Sequence, residues 1–377
     1  MKILILHNQL WSQYKSIVFE KISYHCKKYG DHLLVLQTSI CENSRKDLID
    51  FDVKNFNYSY DFKLLNNAFL ESTNSFLTTI KWSVQIVKYR PDVINLTGYS
   101  EPGTLIVLLI SKILKIKTII TNESIYDNRI KGCGILFYLK KSYKRFLFFL
   151  TDYFFSYGLQ SNDFLFRHNV GKNKILSFLN SFDFERLNAL PQFQESNNEK
   201  YFLFVGRLSS EKNIDFLIKL AVNFKKCKSN INIKIIGDGP NFGQLEKDIL
   251  LLNLTNIQLL GNIKWNNLGP YYINSLGLIL PSFFEPWGMV ANEAFFYQIP
   301  VICSKYCGCS DDLVIDNYNG IVIENLSLHA KNFDLNNFLN DFLKIRNQLI
   351  QNIKKTNHIF EPNKLSKELY LSFKKVI

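Results

Sequence analysis

Short apolar segments alternate with longer segments of helical character, and this alternation runs twice along the 377-residue chain. Such alternation is typical of βαβ units, which build parallel sheets through right-handed crossover connections. The sequence therefore predicts an α/β protein with two parallel sheets. The predicted strands are Ile3–Leu6, Leu33–Leu36, Val93–Leu96, Thr118–Thr121, Tyr153–Ser156 and Ile175–Phe178, followed by Phe202–Val205, Lys234–Ile236, Ile257–Leu260, Leu278–Leu280, Val301–Cys303 and Ile321–Ile323.

A polar segment at residues 183–200 separates the two runs. It contains Pro191 and a stretch of Gln, Glu, Ser and Asn without hydrophobic periodicity, which is typical of a domain linker. We therefore predict an N-terminal Rossmann-like domain over residues 1–182 and a C-terminal one over residues 201–360. Residues 361–377 then form a separate C-terminal helix.

Composition narrows the class of protein. Hydrophobic residues make up 47% of the chain and charged residues 21%, as in soluble globular proteins. The seven cysteines are odd in number and scattered, which favours a reducing compartment over a disulfide framework. No secretory signal is recognisable, and lysines interrupt the longest apolar run, Thr104–Ile120. We therefore expect a cytoplasmic protein, in which Cys303, Cys307 and Cys309 are buried thiols.

The positive charge is concentrated in the N-terminal half. The chain carries a net charge of +12, and residues 1–180 hold 24 basic against 14 acidic side chains. Basic and bulky apolar residues interleave most densely at Tyr138–Leu150. This pattern fits a helix that lies in an anionic membrane surface. It equally fits a core helix with a solvated basic face.

Two acids, Glu285 and Glu293, flank a glycine turn near the end of a predicted strand. Gly288 precedes a predicted helix that begins at Met289 and ends before Pro300. In open α/β sheets, ligands bind at the carboxyl ends of strands, and a helix N-terminus there attracts phosphate. Carboxylates accept strong hydrogen bonds from sugar hydroxyls. We therefore expect Glu285 at the mouth of a site and Glu293 further down the helix.

A second strand ends in a basic loop. Gly206 allows a tight turn, and Arg207 and Lys212 follow it before the next predicted helix. Both cations can reach a diphosphate at the same sheet edge. A surface arginine and lysine at a helix start is the alternative interpretation. However, a cation at that end opposes the helix dipole, so Lys212 has no evident stabilising role there.

The segment Glu285-Pro-Trp-Gly-Met-Val-Ala-Asn-Glu293 resembles the E-x7-E element of retaining glycosyltransferases of family 4, which have the GT-B fold. Gly206-Arg207-Leu-Ser-Ser-Glu-Lys212 resembles the G-R-x4-K element of that family. Gly237-Asp-Gly239-Pro and the turn at Gly261 resemble two further elements, in the same order. The resemblance covers about residues 201–325.

This resemblance implies two Rossmann-like domains whose parallel sheets face across a cleft, with the last helix crossing back to the first domain. The N-terminal domain would bind the acceptor. The implied reaction moves a sugar from a nucleotide diphosphate sugar to an acceptor hydroxyl, with retention and without metal or cofactor. The acceptor would be a glycan or lipid-linked molecule in cell-surface polysaccharide or glycolipid synthesis. The implied catalytic residues are Glu285, Arg207 and Lys212, and Glu123 is the nearest polar candidate for a catalytic role in the N-terminal half. The implied donor-binding residues are Glu293, Gly288, Met289, Val290, Gly206, Gly237, Gly239 and Gly261.

The N-terminal half departs from the family. Glu123 stands where many relatives carry histidine, so a nucleotide-sugar-binding protein without catalysis is an alternative. Asp127 and Arg129 could bind acceptor or cap local structure. The Asp50-Phe-Asp52 sequence spells a metal-binding D-x-D, but it follows no long apolar strand, and no metal site is predicted.

Two other functional classes fit less well. A dinucleotide oxidoreductase needs G-x-G-x-x-G after the first strand, and the chain lacks it. The net charge would suit a nucleic-acid-binding protein, but no recognition motif of that class is present. We therefore expect no nucleic-acid partner.

Overall fold

A computed structural model of the chain describes residues 1–10, 13–43, 58–127, 134–181, 187, 199–324, 335–356 and 362–377. Most of the predicted linker, residues 183–200, lies outside them. The chain divides into two compact units. The first comprises Met1–Tyr126, Ile130–Asp183 and Glu361–Ile377, and the second comprises Asp127–Arg129 and Phe184–Phe360.

The first unit is built on seven parallel strands in the order β3-β2-β1-β4-β5-β6-β7. The sheet order reverses between β1 and β4, which is where doubly wound sheets bind ligands. The strands are β1 (Lys2–Gln9), β2 (His32–Ser39), β3 (Phe62–Leu64), β4 (Val93–Leu96), β5 (Lys117–Asn122), β6 (Tyr153–Tyr157) and β7 (Ile175–Phe178). The first five helices are α1 (Gln13–Lys28), α2 (Ser75–Tyr89), α3 (Thr104–Ile113), α4 (Ile135–Leu150) and α5 (Leu159–Arg167).

The second unit has six parallel strands in the order β10-β9-β8-β11-β12-β13. Every residue of its central strand β8 is buried, as expected where helices cover both faces of a sheet. The strands are β8 (Tyr201–Val205), β9 (Asn232–Ile236), β10 (Ile257–Leu259), β11 (Gly277–Leu280), β12 (Val301–Ser304) and β13 (Gly320–Ile323). The helices are α6 (Asp215–Lys226), α7 (Phe242–Leu251), α8 (Gly269–Ile273), α9 (Met289–Phe296) and α10 (Leu335–Thr356).

The last helix, α11 (Pro362–Val376), belongs to the first unit and packs against α1. Tyr370 donates a hydrogen bond to Asp31 at 2.6 Å, and Asp31 also accepts one from the amino group of Met1 at 2.8 Å. Pro362 begins α11, a position that suits proline because the first amide of a helix has no intrahelical acceptor.

Side chains of the first sheet alternate between two apolar layers. Ile3 and Ile5 pack with α1 and α11, whereas Leu4 and Leu6 pack with α2, α3 and α4 on the other face. This is the period of two that a strand imposes.

All twelve predicted strands form, and the prediction of two parallel sheets is confirmed. The strand β3 was not predicted, because three residues at a sheet edge leave no apolar run in the sequence. Within the part of the chain described, no helix has both the length and the apolar composition that crossing a membrane requires.

Candidate donor site in the second unit

Backbone hydrogen bonds hold three strand-end turns of the second sheet side by side. The amide of Gly206, after β8, donates to the carbonyl of Ile236 at 3.0 Å. The amide of Gly237, after β9, donates to the carbonyl of Gly261 at 2.8 Å. The predicted glycines Gly206, Gly237 and Gly261 therefore lie together at the carboxyl edge of the sheet.

Two glycines of the turn after β9, Gly237 and Gly239, have no room for a side chain. A Cβ atom at Gly237 would lie 1.9 Å from the carbonyl oxygen of Gly206, and its φ of +136° disfavours other residues. A Cβ atom at Gly239 would lie 2.5 Å from the carbonyl oxygen of Leu208. Close packing of neighbouring turns thus explains a glycine pair that the sequence alone supports only weakly.

The loop after β8 is joined to the loop after β11. The carbonyl of Glu211 accepts a hydrogen bond from the amide of Phe283 at 2.8 Å. The side-chain amide of Asn213 donates to the carbonyl of Pro281 at 3.0 Å. These bonds hold the basic loop against the segment that leads into Glu285.

Lys212 and Glu285 form an ion pair across this junction. They are 73 residues apart in sequence, and their side chains are only 17% and 13% exposed. We predicted both residues for the site, but as separate contacts to phosphate and to sugar. The pair gives Lys212 the stabilising partner that sequence reasoning did not identify, because only the fold brings β8 next to β11.

Further charges surround the same loop. Arg207 is exposed to solvent. Burial alone would raise the pKa of Glu211, but a 2.5 Å hydrogen bond from Ser209 and the charges of Lys212 and Arg207 hold that pKa below its usual value. The loop therefore holds two cations, Arg207 and Lys212, within electrostatic range of the Glu211 carboxylate.

The loop from Glu285 to α9 is held by backbone contacts. The Glu285 amide donates to Tyr306 at 3.1 Å, and the Glu285 carbonyl accepts from Gly308 at 2.8 Å. Gly288 adopts the left-handed conformation, with φ 94° and ψ 65°, and directly precedes α9. The half-buried Met289 and Val290 thus form the first turn of α9, where amides have no intrahelical acceptors.

Glu293 lies within α9 and is 7% exposed. Its carboxylate accepts a hydrogen bond from the hydroxyl of Tyr272 at 2.7 Å. The ring of Tyr297 stacks on that of Tyr272, and burial together with the charge of Glu293 raises the pKa of Tyr297 to about 12. The contribution of Tyr272 was not predicted, because nothing in the sequence pairs α8 with α9.

Three thiols lie behind the Glu285 loop. Cys303, Cys307 and Cys309 are buried free cysteines, as predicted. A hydrogen bond with Cys309, together with burial, raises the pKa of Cys307 well above its usual value, which keeps this thiol protonated at neutral pH. Among the residues that the structure describes, no group of three His, Cys, Asp or Glu side chains could hold a metal ion. Asp50 and Asp52 lie outside the described residues.

Glu123 belongs to the first unit, after β5, unlike the other predicted site residues. Its carboxylate pairs with Lys15 at 2.5 Å, and the Lys15 ammonium lies 4.2 Å from the ring centroid of Tyr157. Burial opposes the charged form of Lys15, but attraction by Glu123 outweighs it and raises the pKa of Lys15. Lys15 and Tyr157 were not predicted, since a lone lysine on a predicted helix carries no such signal.

His7 ends up beside this cluster, at the carboxyl end of β1. Its Nδ1 lies 2.9 Å from the Thr97 hydroxyl. Burial, followed by the charge of Lys15, lowers the pKa of His7 to about 3. The Nε2 atom is buried without a hydrogen-bond partner among the described residues. Of the other two candidates, Arg129 lies outside the described residues, and the role of Asp127 stays a prediction.

The family described as Glycosyl transferases group 1 matches residues 186–356. An uncharacterized glycosyltransferase of Methanocaldococcus jannaschii, MJ1178, is 34% identical over 32% of this chain and 33% of its own length. A Campylobacter jejuni protein named as a diNAcBac-PP-undecaprenol-linked GalNAc-GalNAc alpha-1,4-N-acetyl-D-galactosaminyltransferase is 30% identical over 45% of this chain and 46% of its own length. The chain thus spans between a third and a half of these relatives.

The whole chain also resembles solved structures. The crystal structure of Anabaena HepE in complex with UDP and glucose aligns with a TM-score of 0.73 over 100% of both chains, at 16% identity. At this identity the likeness establishes the fold. With the order of strands, the glycine turns and the E-x7-E segment described above, these comparisons agree on one assignment. Residues 186–356 match the glycosyl transferases group 1 family, and the two Rossmann-like units give the chain the GT-B fold.

Proposed function

We propose that this chain transfers a sugar from a nucleotide diphosphate sugar to an acceptor hydroxyl, with retention of configuration and without a metal ion. The observation that carries the proposal is the Lys212–Glu285 pair beside the glycine turns and the start of α9. A cation for phosphate, a carboxylate for sugar hydroxyls and a helix N-terminus then lie at one sheet edge.

Stabilisation of the leaving group is the main chemical task. Negative charge develops on the nucleotide diphosphate as the bond to the sugar breaks. Lys212 and the amides of Met289 and Val290 are held in place as donors for that charge, and the exposed Arg207 adds a further cation on the same loop. One such donor contributes about 3–4 kcal/mol to transition-state stabilisation. No step in this scheme needs a metal.

Each acid has a distinct role. Glu285 accepts hydrogen bonds from sugar hydroxyls near the reacting carbon, and Lys212 holds its carboxylate in position. Glu293 accepts hydrogen bonds from the ribose hydroxyls, with Tyr272 fixing its orientation. Groups that are positioned before the substrate arrives catalyse better, because less reorganisation accompanies the reaction.

The first unit binds the acceptor, and Glu123 is the candidate catalytic residue in that unit. The acceptor is a glycan or lipid-linked molecule in cell-surface polysaccharide or glycolipid synthesis. The Campylobacter jejuni relative, whose name includes PP-undecaprenol, supports this class. The protein then works in the cytoplasm, peripherally at the inner face of the cell membrane, to which the basic N-terminal half draws it.

A calorimetric titration with UDP, GDP, ADP and their common sugar conjugates, with and without EDTA, tests the donor site. We expect one nucleotide family to bind, and EDTA to leave its affinity unchanged. Loss of binding on chelation would contradict metal independence. If none of these nucleotides binds, the donor-site assignment is wrong.

An inactive nucleotide-sugar-binding protein is the second candidate, because Glu123 departs from the histidine of many relatives. The two candidates share the binding result and differ in turnover. Release of free nucleotide from the bound sugar conjugate, in the presence of a membrane extract as acceptor source, identifies the transferase. Binding without any turnover across acceptors would favour the inactive protein.

A further inference from the structure

The solvent side of α2, α3 and α4, here called the three-helix face, is unusually apolar. These helices pack side by side, α2 against α3 and α3 against α4. Their inner sides bury Trp82, Val107 and Leu147 against the first sheet. The outer sides therefore form one continuous surface on that side of the unit.

Large apolar side chains cover this face. The three helices hold about a ninth of the chain but about half of the exposed large apolar side chains among the described residues. Soluble proteins rarely expose so large an apolar patch unless it binds something. The exposed members on the helices are Phe76, Leu77, Ile80, Val84, Val87, Ile106, Leu109, Ile113, Ile135, Leu136, Tyr138, Leu139, Tyr143, Phe146 and Phe149.

The charge on the three helices is entirely of one sign. They contain seven lysine and arginine residues and no aspartate or glutamate. On α4, Lys140 and Arg145 are exposed between bulky apolar neighbours. Long basic side chains of this kind can place their stems in an apolar layer and their charges in the surrounding polar layer.

The face also reaches the functional edge of the first sheet. In a right-handed βαβ unit, a helix begins near the carboxyl end of the strand before it. Phe76 on α2 and Ile135 on α4, which are 71% and 77% exposed, lie in the first turns of their helices. The apolar surface thus extends toward the edge that carries Glu123 and Thr97.

We propose that the three-helix face docks onto an anionic lipid bilayer and presents the carboxyl edge of the first sheet to acceptors held in that bilayer. The presentation of the sheet edge to acceptors rests on the proposed function, whereas the docking onto the bilayer does not depend on that function. A bilayer fits better than a protein groove, because exposed apolar side chains and uniformly basic charge are spread over three helices. A nucleic acid would meet bulky aliphatic side chains where it needs polar contacts.

Flotation of the full chain with vesicles tests the docking. The probes are vesicles of phosphatidylcholine alone and vesicles of two parts phosphatidylcholine to one part phosphatidylglycerol. We expect flotation with the anionic vesicles, weakened by high salt because surface charges are then screened. A charge variant, Lys140→Glu with Lys141→Glu, and an apolar variant, Leu136→Ser with Phe149→Ser, should each reduce partitioning about tenfold or more.

Matched controls lie on the second unit. Lys247 is exposed, and Leu251 is 80% exposed, both on α7. Lys247→Glu and Leu251→Ser should float like the wild type. Hydrogen exchange of amides in the first sheet shows whether each face variant is folded, because the face belongs to the first unit. Nucleotide binding by calorimetry separately tests the donor site in the second unit.

Three outcomes would overturn the docking. The wild type could bind nucleotide and yet fail to float with anionic vesicles, which would leave the donor site intact. The control variants could lose as much partitioning as the face variants. Sedimentation could instead show that the face variants convert a dimer into a monomer, which would make the face an interface between two copies.

Discussion

Replacing Gly237 with alanine adds only one methyl group, but it should strongly disturb the candidate donor site. The new Cβ atom would lie 1.9 Å from the carbonyl oxygen of Gly206, and real Cβ contacts almost never fall below 3.0 Å. The turn must therefore open by about 1 Å. That movement strains the bonds from Gly237 to Gly261 and from Gly206 to Ile236.

The cost follows from these contacts. Two weakened backbone hydrogen bonds cost about 0.5–1.5 kcal/mol each. Alanine at a φ of +136° adds about 1–3 kcal/mol of backbone strain. We therefore expect Gly237→Ala to lower the free energy of opening of β8 and β9 by about 2–6 kcal/mol. Nucleotide affinity should fall with it.

Gly243 provides the matched control. It lies in α7, and a Cβ atom there would meet no atom within 4 Å. Gly243→Ala should stabilise the unit by about 0.5–1 kcal/mol, because alanine loses less entropy than glycine in a helix.

Native-state hydrogen exchange measures the effect, since it reports the opening of β8 and β9 separately from the first unit. The amides of these strands should exchange about thirtyfold faster or more in Gly237→Ala, given that 1.4 kcal/mol is a factor of ten. Unchanged exchange in Gly237→Ala, or equal damage in Gly243→Ala, would refute the reasoning.

Three further predictions follow from the same geometry. Lys212→Met and Glu285→Gln should each lower the free energy of unfolding by about 2–4 kcal/mol, because each leaves a mostly buried charge unpaired. In a urea double-mutant cycle, the double variant should lose less stability than the sum of the two single losses. Additive losses would contradict an interaction between the two side chains. Tyr272→Phe should weaken nucleotide binding measured by calorimetry and cost about 1–3 kcal/mol of stability, because a buried Glu293 oxygen loses its donor; an unchanged affinity would count against the ribose role. The pKa of His7 is about 3 in the folded state and about 6.5 in the unfolded state, so acid favours the unfolded state below pH 6.5. In urea unfolding at pH 5, the wild type should lose about 2 kcal/mol of stability that His7→Gln does not lose. Parallel pH profiles of the two proteins would contradict a buried neutral imidazole.

Periodicity predicts the fold well because parallel strands buried on both faces appear as uninterrupted apolar runs. Tyr201–Val205 is such a run, and its flanking glycine and polar loop mark where the strand ends. By contrast, Phe62–Leu64 pairs only at a sheet edge and carries no such signal. Local patterns therefore identified even the short edge strand Ile257–Leu259, which has one buried residue, but missed Phe62–Leu64, which has none.

The site was predictable as a set of positions but not as a set of contacts. Gly206, Lys212 and Glu285 follow strand ends, which parallel topology brings to one edge. The pairing of Lys212 with Glu285 depends on β8 and β11 being neighbours, and strand order is not written in either motif. Tyr272 and Lys15 were missed for the same reason, since a single polar residue on a helix gains meaning only from its tertiary neighbours.

In the absence of ligand, Lys212 and Glu285 neutralise each other's charge across the two loops. An anion that binds Lys212 removes the counter-charge of Glu285. A neutral sugar that binds Glu285 likewise removes the counter-charge of Lys212. Free phosphate or free sugar therefore compensates only one half of the pair and pays the desolvation of the other. A molecule that carries phosphate and hydroxyl groups at the right separation satisfies both halves at once. In the proposed donor site, the pair therefore favours a ligand that joins phosphate and sugar over free phosphate or free sugar.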